Sequence, residues 1–222
     1  MELADRARVH AALGDETRLR LVDALWLDDR SPNELGKLLG VDSNLLAHHL
    51  EVLEEAGLVT RTVSSGDGRR RYVSARLEAL EGLVAPTSVH AESVVFVCTH
   101  NSARSLFAEG LLAEFGFAAD SAGTLPAKRP HPKAVTAAAE MGVDLADRVP
   151  KAYTAVGHAS DLVVSVCDRA RESRLPFSSS RLHWSIPDPV DVGRIESFRS
   201  AFADIGRRVE RLAEMMERGR TG

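Results

Sequence analysis

The sequence has little cysteine, no long apolar run and no excess of positive charge, and each shortage removes a class of protein. Two cysteines in 222 residues cannot build a disulfide framework. They fit a reducing, cytoplasmic setting in which both thiols stay available for chemistry. No apolar stretch approaches the roughly 20 residues that cross a bilayer, so no membrane partner is expected. Residues 1–16 carry several acids and no continuous apolar segment, unlike a secretory signal. The formal net charge is -4, and residues 1–85 hold 11 Lys and Arg against 15 Asp and Glu. Any contact with nucleic acid must therefore come from a local basic cluster rather than from the overall field.

What is present changes character near residues 82–92. Before it, leucine-rich helical patterns run over about 3–13, 15–28, 31–39 and 43–56. Asp15, Ser31 and Asp42 stand where N-caps belong, Pro32 at a first helical position, and Gly57 where the fourth helix should stop. Two short strands around a Gly-containing turn follow, so three or four helices lead into a hairpin. After the change the pattern alternates: a buried strand at 93–98, a helix at 105–116, a strand-to-loop passage at 120–124, a helix at 131–142 and a buried strand at 161–167. A long helix closes the chain, with Ile195, Phe198, Phe202, Ile205, Val209, Leu212 and Met216 forming one apolar stripe. Alternating strands and helices call for a parallel sheet covered on both faces. The expected division is 1–82, a linker at 83–92, and 93–217.

The strongest chemical signal is Cys98-Thr99-His100-Asn101-Ser102-Ala103-Arg104-Ser105, set between a buried strand and a helix. Amide groups of a loop entering a helix N-terminus cradle anions. Arg104 can grip two oxygens of a tetrahedral oxyanion in a fork. The same positive field favours the Cys98 thiolate over the thiol and makes it a nucleophile. Asn101 can brace the loop, and the Ser105 hydroxyl can reach the sulfur. Asp188, flanked by Pro187 and Pro189, suits a general acid that protonates a leaving oxygen. Cys167 ends a second apolar strand, so two readings stay open for it: a resolving thiol beside Cys98, or an inert core residue. No set of histidines and cysteines has the spacing of metal ligands, and no bound cofactor is expected.

These residues carry a resemblance. The stretch 98–105, Ser121-Ala122-Gly123-Thr124 and the stretch 183–189 occur in the same order as in low-molecular-weight protein tyrosine phosphatases and the arsenate reductases of that fold. The resemblance covers about residues 93–215 and implies a flavodoxin-like, four-stranded parallel sheet in three layers, with the site at the carboxyl ends of the strands. The pattern Cys-x-His-Asn-x-x-Arg-Ser, with His131-Pro132 and Pro150-Lys151, is similar to small-thiol-dependent reductases. Val190 and Asp191 stand where the eukaryotic phosphatases carry a tyrosine pair. The implied reaction is reduction of arsenate to arsenite through a Cys98 adduct and an external thiol, mycothiol or a glutaredoxin-like protein. Residues 99–105 would cradle the oxyanion. Thioredoxin-linked relatives carry further relay cysteines, where this chain has Ala103 and Arg174. The alternatives are a phosphatase on the same fold and an oxyanion-sensing regulator without turnover.

Residues 5–80 resemble the ArsR family of winged-helix repressors, through Ala12–Leu21 and His48–Val59. The resemblance implies a homodimer on operator DNA, with the helix at 43–55 in the major groove and the hairpin on the backbone. Ser43, Asn44 and His48 are the candidate base readers, and Arg69, Arg70 and Arg71 the phosphate contacts. The stretch 31–39 lacks the cysteines of the family's metal sensors, and Leu45 and Ala47 replace common polar residues. A winged helix kept only for dimerisation is the competing reading.

Overall fold

The computed structural model describes residues 3–80, 88–156, 160–173 and 180–221. Residues 83–87 of the expected linker, and Arg174, lie outside the described residues. The chain divides into two compact units, Met1–Ser64 with Gly68–Pro86, and Thr87–Gly222 with Ser65–Asp67.

The first unit holds α1 (Leu3–Leu13), α2 (Glu16–Leu25), α3 (Pro32–Leu39), α4 (Ser43–Glu55), β1 (Val59–Val63), β2 (Arg71–Ala75) and the short α5 (Leu77–Leu80). The three N-caps form as the sequence leads one to expect. The Asp15 side chain accepts from the Arg18 amide, and Asp42 accepts from Asn44 and Leu45 at 3.0 Å each. Ser31 and Glu34 close a reciprocal capping box. Gly57 has φ +72, the left-handed turn that ends α4 at little cost only for glycine. One expectation fails: α2 stops at Leu25 instead of running to residue 28. The amide of Arg30 bonds the Val73 carbonyl at 3.1 Å, and the Val73 amide returns to Arg30 at 2.8 Å. Pairing with β2 thus pulls the chain out of helix, a tertiary effect that overrides local propensity. Leu21, Val22, Leu35, Leu50, Leu53 and Leu58 fill the core between the helices and the β1–β2 hairpin.

The second unit holds β3 (Ser93–Cys98), α6 (Arg104–Glu114), β4 (Ala118–Gly123), α7 (Pro132–Ala139), a 3-10 turn (Tyr153–Ala155), β5 (Leu162–Ser165), α8 (Asp168–Glu172), β6 (Ser180–His183), α9 (Pro189–Val192) and α10 (Ile195–Thr221). Its four strands form a parallel sheet in the order β4-β3-β5-β6. The chain runs from β3 outward to β4, then crosses back to β5 on the other side of β3. That reversal opens a crevice at the carboxyl end of β3, where such sheets hold their ligands. Cys98 pairs with Gly123 there, and Val97 pairs with Ser165 of β5. The strand expected at 161–167 is shorter, because Cys167 leaves it to stand as N-cap of α8. The helices expected at 105–116 and 131–142 end early, at Glu114 and Ala139. Strand β6 gave no strand pattern in sequence: it is a short, polar, half-exposed edge segment. Among the described residues no helix is long and apolar enough to cross a membrane.

The stripe on α10 is buried as its spacing requires. Phe198, Phe202, Ile205, Val209, Leu212 and Met216 are all inaccessible to solvent. Phe202 stacks on Phe107 of α6, with ring centroids 4.2 Å apart, and meets Phe198 edge-on. Replacing Phe202 with Ala is expected to destabilise the second unit by about 3–5 kcal/mol. Urea unfolding followed by Trp184 fluorescence in a Trp26→Phe background measures this. A loss below about 1 kcal/mol would show that the α6–α10 seam is not what holds the unit together.

Candidate active site

Cys98 ends β3 and is buried, and the loop after it wraps back over its sulfur. The Asn101 amide donates to Cys98 Sγ at 3.2 Å, and Ser105 Oγ lies 3.0 Å from the same sulfur. Asn101 reaches this position only with φ +47, a conformation costly for a residue with a side chain. Gly123 makes room for it. A β carbon there would lie 2.8 Å from the Thr99 carbonyl oxygen and 3.0 Å from the Asn101 nitrogen. Helix α6 then starts at Arg104 behind Ala103, with no side-chain cap, so its first turn opens on the loop.

A chain of hydrogen bonds holds the Ser105 hydroxyl in place beside the sulfur. The Asn101 Oδ1 accepts the Lys151 amide at 2.7 Å, which sets the orientation of its carboxamide. Its Nδ2 therefore donates, to Ser105 Oγ at 2.9 Å and Ser121 Oγ at 2.7 Å. Ser121 gives its own hydrogen to Glu109 Oε2 at 2.5 Å, and Glu109 is paired with Arg148. Ser105 Oγ accepts from Asn101 and keeps its hydroxyl hydrogen free to serve the sulfur when Cys98 is a thiolate. Glu109 and Arg148 escaped the sequence reading. Glu109 sits four residues after Ser105, on the same face of α6, and that spacing was the available signal. Arg148 and Lys151 lie on a loop whose approach no local pattern announces.

Arg104 is buried at the start of α6. Its guanidinium donates to the Ile186 carbonyl at 2.8 Å and to Asp188 Oδ2 at 2.5 Å. Burial works against this cation, but Cys167, Cys98, Asp188 and Asp168 around it hold it charged, above its ordinary value. Asp188 is the N-cap of α9 and accepts the Val190 amide at 3.1 Å. The fold thus brings together residues that the sequence separates by more than 80 positions. Thr99, Ser102 and Ala103 are buried in the loop, whereas His100 is exposed and bonds the Leu125 carbonyl through Nδ1 at 3.0 Å. The loop is also tied down by His131, whose amide bonds the Ser102 carbonyl at 2.8 Å and whose ring stacks on Phe198. Cys167 lies next to this site: its sulfur is 3.5 Å from Thr99 Oγ1 and receives the Ala170 amide at 3.4 Å. Burial pushes the Cys167 thiol up from its ordinary value, against the pull of Arg104.

The comparisons with known proteins bear on this unit. Residues 93–221 match the model of the low molecular weight phosphotyrosine protein phosphatase family, more than half of the chain. The chain belongs to that family. An arsenate reductase of Halalkalibacterium halodurans is 33% identical over 132 residues, covering 54% of this chain and 94% of that protein. The crystal structure of an arsenate reductase from Archaeoglobus fulgidus superposes with a TM-score of 0.50 at 32% identity, covering 55% of this chain and 98% of that one. A tyrosine phosphatase from Erwinia amylovora shares the fold, with a TM-score of 0.51 at 20% identity, over 58% of this chain and 95% of that one. Residues 13–62 match a helix-turn-helix domain model. The chain is thus a phosphatase-family domain joined to a helix-turn-helix domain.

In the helix-turn-helix unit, Ser43 and Asn44 open α4, and with Ala47 and His48 they lie on its exposed face. Leu45 is also exposed there, at 47%. Arg69, Arg70 and Arg71 are exposed before and at the start of β2. These two groups are the base-reading and phosphate candidates, and each occupies the element expected for it.

Ser105→Ala removes the hydroxyl from the Cys98 sulfur. Alkylation of Cys98 by iodoacetamide at pH 7 is expected to slow roughly tenfold, the worth of one hydrogen bond to a charged group. Ser121→Ala should slow it in the same direction by a smaller factor, since it acts through Asn101. Unchanged rates in both variants would show that the chain of bonds does not reach the sulfur.

Proposed function

We propose that the phosphatase-family unit is a thiol-dependent arsenate reductase and that the winged-helix unit binds operator DNA as a homodimer. One observation carries the enzymatic reading. The Cys98 sulfur receives the Asn101 amide and faces the Ser105 hydroxyl at the open N-terminus of α6, with Arg104 and Asp188 joined to each other. A tetrahedral oxyanion set on the amides of residues 99–105 and on Arg104 meets that sulfur head-on. The names of the relatives, and Val190 in place of a tyrosine, favour arsenate over an aryl phosphate.

In the first step the Cys98 thiolate bonds to arsenic while one As–O bond breaks, and the oxygen leaves as water with a proton from Asp188. In the second, an external thiol attacks Sγ. The electron pair of the As–S bond stays on arsenic, which passes from As(V) to As(III) and departs as arsenite. A mixed disulfide remains on Cys98, and a further thiol reduces it, so two thiols are oxidised for each arsenate. Burial keeps Cys167 protonated and a poor attacking group, so the reductant is external: a small thiol of the mycothiol type or a glutaredoxin-like protein. Two buried free thiols suit a reducing cytoplasm. The second reading is a phosphatase, which the family name favours. It uses the same first half, with a phenol leaving and water finishing.

Steady-state turnover of arsenate and of an aryl phosphate, with and without a small thiol, tests the reading. Arsenite formation that needs the thiol, is lost in Cys98→Ser and survives in Cys167→Ala is the expected result. Fast thiol-independent ester hydrolysis would favour the phosphatase, and neither activity a regulator that only senses oxyanions.

For the DNA-binding unit, fluorescence anisotropy on an operator fragment across a salt series is the measurement. Replacing Arg69, Arg70 and Arg71 with Ala should weaken binding uniformly across sequences and lower the salt slope by about 1 for each phosphate deprived of its arginine. Replacing Asn44 or His48 should relax specificity with little change of slope. No DNA binding by the parent protein would leave dimerisation as the role of this unit.

A further inference from the structure

The steps above make no use of Asp168, the first residue of α8, although it is 3% exposed and its charge reaches Arg104. Facing it is His183, the last residue of β6, which is wholly buried. The His183 Nδ1 lies 3.2 Å from the Ser165 carbonyl oxygen, an atom that only accepts, so Nδ1 carries a hydrogen. The Ser165 hydroxyl, also 3.0 Å from Nδ1, has the Leu182 carbonyl for its own hydrogen at 3.3 Å. His183 Nε2 stands 3.3 Å from Asp168 Oδ1. Burial opposes the Asp168 charge, yet His183, the Ser65 amide at 2.7 Å and the Ser185 hydroxyl hold its carboxyl below the usual range. Asp168 thus keeps its charge beside the His183 ring.

Asp168 therefore grips two points of one segment, His183 and Ser185. Between them Trp184 is buried against Phe96, with ring centroids 5.7 Å apart. Arg104 grips the far end of the same segment, at the Ile186 carbonyl and the Asp188 carboxylate. Residues 183–188 are thus strung between two buried charges of opposite sign.

We propose that Asp168 is a positioning residue for Asp188: through His183 and Ser185 it fixes the segment that sets where the Asp188 carboxyl stands over Cys98 and Arg104. This rests on the reading of Asp188 as the acid in arsenate reduction. Asp168→Asn keeps the shape and removes the charge. In this chain with both units present, and with saturating external thiol, kcat for arsenate is expected to fall roughly tenfold, part of what a general acid supplies. KM should stay within about twofold, because the cradle at 99–105 is untouched. In an Asp188→Asn background, where no acid remains to be placed, the same change should cost less than about twofold.

Ser185→Ala cuts only the hydroxyl arm. A roughly threefold loss of kcat with the same dependence on background is expected, and this variant carries the test if circular dichroism shows that Asp168→Asn does not fold. Equal losses with and without Asp188, or a raised KM at unchanged kcat, would overturn the positioning role. Full turnover in Cys98→Ser would instead bring down the cysteine mechanism and this inference with it, a failure the same assays tell apart.

Discussion

One side chain, Asn101, holds the site in shape, and the surrounding structure exists to keep it there. Among the described residues it is the one non-glycine with positive φ, at +47. Such a conformation costs on the order of 1–3 kcal/mol and persists only where neighbours over-determine it. Here three hydrogen bonds from the carboxamide do so, to Lys151, Ser105 and Ser121. The strained backbone points its amide at Cys98, while the side chain donates to two serines. Loop strain and sulfur solvation are in this way the same event, and Glu109 with Arg148 anchors it from below.

Around that loop the unit gathers polar and charged groups that would each be costly to bury alone. Arg104, Asp168 and His183 have almost no access to solvent. Arg104 pairs with Asp188, and Asp168 faces His183, as buried charges require. Leaving such groups in water would have been less costly, so their concentration at the carboxyl ends of β3, β5 and β6 marks a place where function outweighs stability. The apolar part of the unit, above all the α10 stripe, supplies the stability that allows it.

On the proposed function, the two units meet anions by different physics. The phosphatase-family unit gathers a loop amide and one buried arginine about the Cys98 sulfur. The helix-turn-helix unit has an acidic balance and offers a local row of arginines at 69–71. A compact cradle recognises shape and charge at one point, whereas a row of arginines suits a phosphate backbone read along its length.

Much of this was legible in the sequence, for reasons that are local. Caps at Asp15, Ser31 and Asp42 act over three residues, and the α10 stripe repeats every three or four. The strand, loop and helix around Cys98 follow in unbroken order. Interactions of that range are written in neighbouring letters, so the two-part organisation, the nucleophile loop and its arginine could be read directly. The early end of α2, the edge strand β6, and the roles of Glu109, Arg148 and Asp168 could not. The first depends on pairing between Arg30 and Val73, and the others on side chains that meet only when four strands lie in register. The sequence alone determined which residues could do chemistry; the tertiary structure decided which were aimed at it, because direction and burial belong to the packed chain and not to any segment of it.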